Sequence, residues 1–155
     1  MDARLVAMTL CDYFSAADDQ AALAVAGRAG GPADAALDVV FLKNIDPVVA
    51  IAQLEAILTD CTYEEASRRP RAGQLLSSPE DEGRLIISVS DTLAEALAGA
   101  TGADLERVAE AWSMTAELQQ SKVDASNALD VLEALAGLAQ RARSADMHLY
   151  CWWSI

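Results

Sequence analysis

The sequence predicts one α+β domain over residues 1–155, in which a small mixed sheet is packed by about five or six helices. Three observations predict this fold class. The length of 155 residues and a hydrophobic content of 53% suit a single core. Runs rich in β-branched and aromatic residues mark short strands. Capped segments with apolar residues at helical spacing lie between them. No internal repeat appears, and nothing in the length requires a second domain.

Strands are predicted near residues 4–10, 37–43, 84–89 and 147–153. The first, Leu5–Leu10, is short and is also compatible with a helical start to the chain. The second, Leu37–Lys43, is apolar at nearly every position, which is typical of a central strand covered on both faces. We therefore expect residues of both its alternating faces to be buried.

The last predicted strand, Met147–Trp153, alternates between two kinds of side chain. Successive residues of a strand point to opposite faces of the sheet. One face is apolar enough to belong to the core: Met147, Leu149, Cys151 and Trp153. The other carries aromatic rings with polar tips, as expected beside a cleft or a partly solvated rim: His148, Tyr150, Trp152 and Ser154. We expect this strand to pair inside the sheet.

Helix boundaries follow from residues that cap helix ends. Ser15–Asp18 resembles a capping box for an alanine-rich helix that ends near Ala26. Asp46-Pro47 begins the next helix, since the carboxylate accepts free N–H groups and proline suits the first helical position. The remaining predicted starts are Thr62, one of Ser90, Asp91 and Thr92, the Thr101–Asp104 box, and Asp124 for a long helix to about Arg143. The stretch Arg71–Gly83 is predicted as an exposed loop with a turn of strand at Gln74–Leu76.

The chain is strongly acidic. It has 24 Asp and Glu residues against 11 Lys and Arg residues, for a net charge of -13. Such a charge repels phosphate backbones and anionic lipid headgroups, so it disfavours nucleic-acid and membrane-surface binding and favours a basic partner. Solubility alone is the competing explanation. Three cysteines without a CxxC pair indicate a reducing cytoplasm.

Three segments together resemble the YfbM-like family of small uncharacterised bacterial proteins, over roughly residues 37–155. They are Asp38–Lys43 followed by the helix Asp46–Leu58, the extended lead-in and two helices of Ser88–Val108, and the helix Leu129–Arg143 that delivers Leu149–Trp152. The resemblance implies an α+β fold. It implies no established activity and carries over no catalytic residues.

The sequence offers little for catalysis or cofactor binding. His148 is the only histidine, and Cys151 lies three residues away, on the opposite face of a regular strand. No metal-ligand spacing or phosphate-binding loop is present, so we expect no catalytic residue, metal or cofactor. Three carboxylates near apolar elements are candidates for a raised pKa: Asp12, Asp46, predicted above all as a helix cap, and Glu55.

The candidate binding residues are one cationic cluster and several aromatic residues. Arg68, Arg69 and Arg71 form the cluster beside the predicted loop, and solvation at a helix end is its alternative role. The remaining candidates are Tyr63, His148, Tyr150 and Trp152, because Tyr, Trp and Arg dominate binding hot spots. We therefore predict a non-enzymatic interaction module that binds a basic protein, as bacterial immunity proteins do. The alternative is a small hydrolase or lyase with carboxylates in a pocket beside the C-terminal strand. The oligomeric state is left open.

Overall fold

The computed structural model describes residues 10–26, 31–33, 37–78 and 84–154. Within these ranges the protein has five strands and seven α-helices. The strands are β1 (Leu10–Ala16), β2 (Val39–Lys43), β3 (Gln74–Leu75), β4 (Arg84–Ser88) and β5 (His148–Ser154). The helices are α1 (Asp19–Leu23), α2 (Val49–Leu58), α3 (Tyr63–Ser67), α4 (Asp91–Gly99), α5 (Gly102–Ser113), α6 (Ala116–Gln120) and α7 (Ala125–Ser144). The α+β class is therefore confirmed.

The five strands form one sheet in the order β2-β1-β5-β4-β3. Every neighbouring pair is antiparallel, so the prediction of a mixed sheet is wrong in this respect. Between β4 and β5 the chain forms several helices instead of the single crossover helix of a parallel βαβ unit. The chain re-enters the sheet antiparallel to β4, and β5 lies between β1 and β4.

Strand β2 is an edge strand among the described residues, and the prediction of a central strand is wrong. It pairs only with β1, and Phe41 is 64% exposed. Its apolar character arises because Val40 and Leu42 pack against the main core, whereas Val39 packs on the opposite face of the sheet. An apolar run indicates that both faces of a strand are covered by other residues. It does not indicate how many strands are hydrogen-bonded to its two edges.

The N-terminal boundaries also differ from the prediction. The strand predicted near residues 4–10 lies outside the described residues except at Leu10, where β1 begins. Ser15 belongs to β1, so its predicted role as a helix cap is wrong. Asp18 caps α1 instead, accepting a hydrogen bond from the N–H of Ala21 at 2.8 Å. Burial of both faces of β1 outweighs the local capping preference of Ser15.

The two faces of the sheet bury different clusters. The main core lies between the sheet and the longer helices, and its largest fully buried side chain is Trp112 of α5. A smaller cluster on the opposite face, called here the second cluster, consists of Phe14, Ala16, Ala22, Val25, Ile86, Tyr150 and Trp152. Strand β5 contacts the main core through Leu149, Cys151 and Trp153, as predicted. Its other face was expected beside a cleft or a partly solvated rim, but Tyr150 and Trp152 are buried there in the second cluster.

Most of the predicted helix caps are confirmed. Thr62 accepts from the N–H of Glu65 at 3.1 Å, and Thr101 and Asp104 form a complete capping box. The Asp46 carboxylate accepts from the N–H groups of Val48, Val49 and Ala50. Ser90 is the cap used among its three neighbouring candidates, and Asp124 caps α7.

The structure contains one helix that the sequence did not predict and one short strand that it did. Helix α6 was not predicted, and β3 confirms the turn of strand expected in the loop after Arg71. The part of that loop at residues 79–83 lies outside the described residues. None of the helices in the described ranges combines the length and apolar character that crossing a membrane requires.

Candidate functional site

Two open grooves meet at His148, the first residue of β5. One has a volume of about 430 Å³ and is lined by Asp18, Asp19, Gln20, Arg71 and His148. The other, of about 240 Å³, runs between α4 and α7, and its charged lining residues are Asp91, Glu95, Arg143, Asp146 and His148. We call these two sets of lining residues together the His148 surface.

Arg71 is held on this surface by Asp19 and Tyr150. Its Nη1 donates to Asp19 Oδ1 at 3.1 Å, and the Tyr150 hydroxyl donates to the same oxygen at 2.8 Å. The Arg71 guanidinium carbon lies 5.4 Å from the centre of the Tyr150 ring, within the range of a cation–π contact. Arg71 has a left-handed backbone, with φ of 70°, and Ser88 Oγ donates to its carbonyl at 2.6 Å.

These contacts shift the pKa values of Asp19 and Tyr150. The Tyr150 hydroxyl, and after it the Arg71 guanidinium, lower the pKa of Asp19 by favouring its ionised form. Burial, followed by the hydrogen bond to Asp19, raises the pKa of Tyr150 to about 12. Tyr150 is thus a neutral donor and Asp19 an ionised acceptor over the physiological range.

A second carboxylate binds His148. The Nδ1 atom of His148 lies 2.8 Å from Asp91 Oδ1, and the Nε atom of Arg71 lies 3.8 Å from that same oxygen. In the described part of the chain, Asp91 is the only hydrogen-bond partner of the His148 side chain. Cys151 contacts the main core on the opposite face of β5, as predicted. No group of His, Cys, Asp and Glu side chains in the described ranges could hold a metal ion.

The structure brings together only part of the predicted binding set: Arg71, His148 and Tyr150. Arg68 is exposed on the surface next to α3, and Arg69 turns to a different carboxylate, Glu55. Tyr63 lines a separate cavity of about 40 Å³. The rings of Tyr150 and Trp152 are buried. Tyr150 therefore contributes to the His148 surface only through its hydroxyl, which donates to Asp19.

Sequence reasoning marked Glu55 as a carboxylate near an apolar element but missed its partners. Glu55 is 1% exposed and accepts hydrogen bonds from three side chains. Ser90 Oγ donates to Oε1 at 2.5 Å, while Thr92 Oγ1 and Arg69 Nη1 donate to Oε2 at 2.6 and 2.7 Å. The carboxylate therefore ties α2 to the start of α4 and to the chain after α3. The one sequence feature that could have indicated a buried ion pair was the position of Glu55 on the apolar side of α2.

Replacing Tyr150 by phenylalanine is expected to raise the pKa of Asp19 towards its ordinary value, because the strongest donor to the carboxylate is lost. The lowered pKa of Asp19 contributes stability above the ordinary pKa of 3.8, and this contribution is lost as the pH falls through the lowered value. The variant should therefore lose less stability on acidification than the wild type.

Carboxyl-detected NMR titration measures this pKa directly, and urea unfolding at several pH values measures its effect on stability. An unchanged pKa of Asp19 in the Tyr150→Phe protein would contradict the assignment of the hydroxyl as its main donor. Asp104, whose pKa is lowered by Thr101 in a distant capping box, serves as the internal control and should not change.

Comparison of the chain with protein-family models, with curated proteins and with solved structures finds no match. The resemblance to the YfbM-like family stays a prediction.

Proposed function

We propose that the protein is a non-enzymatic interaction module that binds a basic partner protein through the His148 surface. The observation that carries the proposal is the meeting of two open grooves whose lining includes five carboxylates and two arginines. Exposed carboxylates also occur elsewhere, for example Glu106 and Glu110 on α5. Neither charge nor concave shape alone singles out this surface, since a groove of about 410 Å³ also lies beside Lys122 and Asp124. The combination of concave shape and several carboxylates does.

The two arginines offset only part of the negative charge of the five carboxylates on the surface. The side chain of Arg71 is 22% exposed and lies between Asp19 and Asp91. Arg143 lies 4.0 Å from Glu95, and both side chains are largely solvated. Asp18, Glu95 and Asp146 remain exposed to a partner. Complementary charge of this kind steers association and selects a partner of opposite sign.

The shape of the grooves also favours a protein partner. Sites for small molecules bury most of the ligand surface and are lined mainly by apolar and aromatic groups. The larger groove is open, and its lining residues are polar or charged. Long lysine and arginine side chains from a partner would fit such a surface without being enclosed by it.

The Asp91–His148 pair favours a second candidate function, a small hydrolase or lyase. In catalytic triads, a carboxylate hydrogen-bonded to one imidazole nitrogen orients the imidazole so that its other nitrogen acts as a base. Such a base also needs a nucleophile beside it, and neither a hydroxyl nor a thiol of the described residues is hydrogen-bonded to His148. Binding of a basic partner therefore has the stronger support.

A pair of charge-neutralising variants tests the proposed function. The surface variant carries Asp18→Asn, Glu95→Gln and Asp146→Asn, none of which holds Arg71 or His148. The control variant carries Glu106→Gln, Glu110→Gln and Asp130→Asn, which are exposed residues of α5 and α7. Both remove three charges, so a general effect of net charge acts on them equally.

Basic proteins of the native host are captured on the immobilised chain, purified and titrated against each variant by calorimetry. We expect the surface variant to bind at least about tenfold more weakly than the control, with a shallower salt dependence, because it lacks the charges that face the partner. Equal weakening of both variants, or the capture of no basic protein, would reject the proposal.

A further inference from the structure

The Arg71 side chain has one edge without a hydrogen-bond acceptor. Its Nη1 atom donates to Asp19, whereas its Nε and Nη2 atoms are buried and have no hydrogen-bond partner among the described residues. Nε–H and one Nη2–H point along the same edge of the guanidinium, and such an edge forms two parallel hydrogen bonds with a carboxylate. A buried donor without an acceptor lowers stability, because its hydrogen bonds to water are not replaced. This edge is therefore placed to bind a carboxylate.

The Asp91 carboxylate lies beside Nε of this edge. Its Oδ1 atom is 3.8 Å from Nε of Arg71, which is within ion-pair distance but too far for a hydrogen bond. The same oxygen lies 2.8 Å from Nδ1 of His148. A movement of about 1 Å would bring Oδ1 to the usual hydrogen-bond distance from Nε, about 2.9 Å. Arg71 and His148 therefore compete for one carboxylate.

Asp91 can move between the two competitors, whereas Arg71 is fixed. Asp91 begins α4, but Ser90 caps that helix by accepting from the N–H of Leu93, so the Asp91 side chain is not needed as a cap. The side chain of Asp91 is 54% exposed and that of His148 is 41% exposed. Arg71 is held by its hydrogen bond to Asp19 and by its contact with the Tyr150 ring. A change at His148 would therefore move Asp91 and not Arg71.

The charge of His148 decides which competitor is the stronger. An imidazolium carries protons on both ring nitrogens, so its Nδ1 makes a charge-assisted bond to a carboxylate. A neutral imidazole has one proton, which Nε2 can carry instead, whereas an arginine edge always offers two charged donors. We propose that Asp91 is a pH-dependent switch. It stays on His148, where this structure places it, while His148 is protonated, and it turns to Nε and Nη2 of Arg71 when His148 is neutral.

His148 is the only histidine of the chain, so a response of this surface near neutral pH is assigned to it. Carboxyl groups ordinarily titrate near pH 4 and guanidinium groups above pH 12, whereas imidazole titrates between pH 5 and 8. Tyr150, two residues along β5, stays neutral because its pKa is raised to about 12. Protonation of His148 adds a positive charge where the two grooves meet and so weakens the binding of a basic partner, a consequence that rests on the proposed function. The charged groups around His148 are Asp18 and Asp19 at the start of α1, Arg71, Asp91 and Glu95 on α4, Arg143 on α7 and Asp146 after it.

The test follows the Nε–H resonance of Arg71 by NMR in the nitrogen-labelled full chain, at about pH 8 and about pH 5. A hydrogen bond to a carboxylate moves such a proton resonance downfield. We expect the resonance to lie further downfield at the higher pH, because the bond to Asp91 forms there, and its change should share its midpoint with the His148 ring protons. The Arg69 resonances are the internal control and should not move, since the carboxylate that Arg69 binds, Glu55, has no histidine among its hydrogen-bond partners.

Two variants show whether the effect passes through His148 and Asp91. In His148→Gln, which cannot carry the imidazolium charge, the Arg71 resonance should keep its downfield position at both pH values. In Asp91→Asn, which lacks the carboxylate, it should keep its upfield position at both. An Arg71 resonance that is the same at both pH values in the wild type, or that changes equally in His148→Gln, would overturn the switch. The experiment contains no partner, so a failed switch leaves the proposed function standing, and a failure to capture a partner leaves the switch standing.

Discussion

A chain that ends at Leu149 is expected not to fold. The deletion removes most of β5, which lies between β1 and β4 and is hydrogen-bonded to both. It also removes Tyr150, Cys151 and Trp152, which are buried. Burial of one aromatic side chain contributes several kcal/mol by area, whereas the net stability of a domain is only about 5–15 kcal/mol. The loss of the central strand therefore exceeds the stability available.

Circular dichroism melts and proton NMR spectra of the truncated and full-length chains measure this effect. We expect the truncated chain to show no cooperative transition and no dispersed resonances. A chain that ends at Trp153 is the control, because it keeps all but the last paired residue of β5 and should melt cooperatively. A cooperative melt of the shorter chain at the wild-type midpoint would mean that β5 is an accessory to the fold.

Replacing Arg69 by methionine is expected to lower the free energy of unfolding by about 3 kcal/mol. The substitution leaves the Glu55 charge buried with only the hydroxyls of Ser90 and Thr92 as donors. Breaking a buried ion pair from one side costs about 3–5 kcal/mol. Because the Arg69 side chain is 27% exposed, part of its charge is already solvated, and the lower end of that range applies.

Urea unfolding of a double-mutant cycle distinguishes this effect from a loss of packing. The double variant Glu55→Met, Arg69→Met should recover part of the lost stability, since no charge remains buried. Arg107→Met is the matched control: its pair with Asp104 is exposed, so the expected change is below about 1 kcal/mol. Strictly additive losses in the cycle would show that Glu55 and Arg69 do not stabilise each other.

Local features of this protein were predictable from its sequence, whereas lateral order in the sheet was not. The box at Thr101–Asp104 and the cap at Asp124 involve residues three apart, so the sequence itself contains both partners. Strand β2 was misassigned because its apolar run does not reveal how many strands pair with it. Ser15 was misassigned because a good local cap lost to burial in β1.

The candidate site shows the same division between local and distant information. Arg71, His148 and Tyr150 were predicted as separate binding residues from their side-chain chemistry alone. Their convergence depends on Asp19, which is 131 residues from Tyr150 in the chain, and on Asp91. No sequence spacing encodes such contacts, because the pairing of β1 with β5 brings Asp19 to Tyr150 and the pairing of β4 with β5 brings Asp91 to His148. Two of the partners of Glu55, Ser90 and Thr92, are likewise distant in the chain and reach it only through tertiary packing.

The pairing of β1 with β5 also has a consequence for the synthesis of the protein. Phe14 lies opposite Tyr150 at the centre of the sheet, so the hydrogen bonds between these strands join segments translated far apart in time. Closing such a long loop is slow, and helices with local contacts form much faster. On the ribosome, α2 to α7 can form while β1 still lacks its inner neighbour. Until β5 leaves the exit tunnel, this edge of β1 stays unpaired, and unpaired strand edges are prone to aggregation.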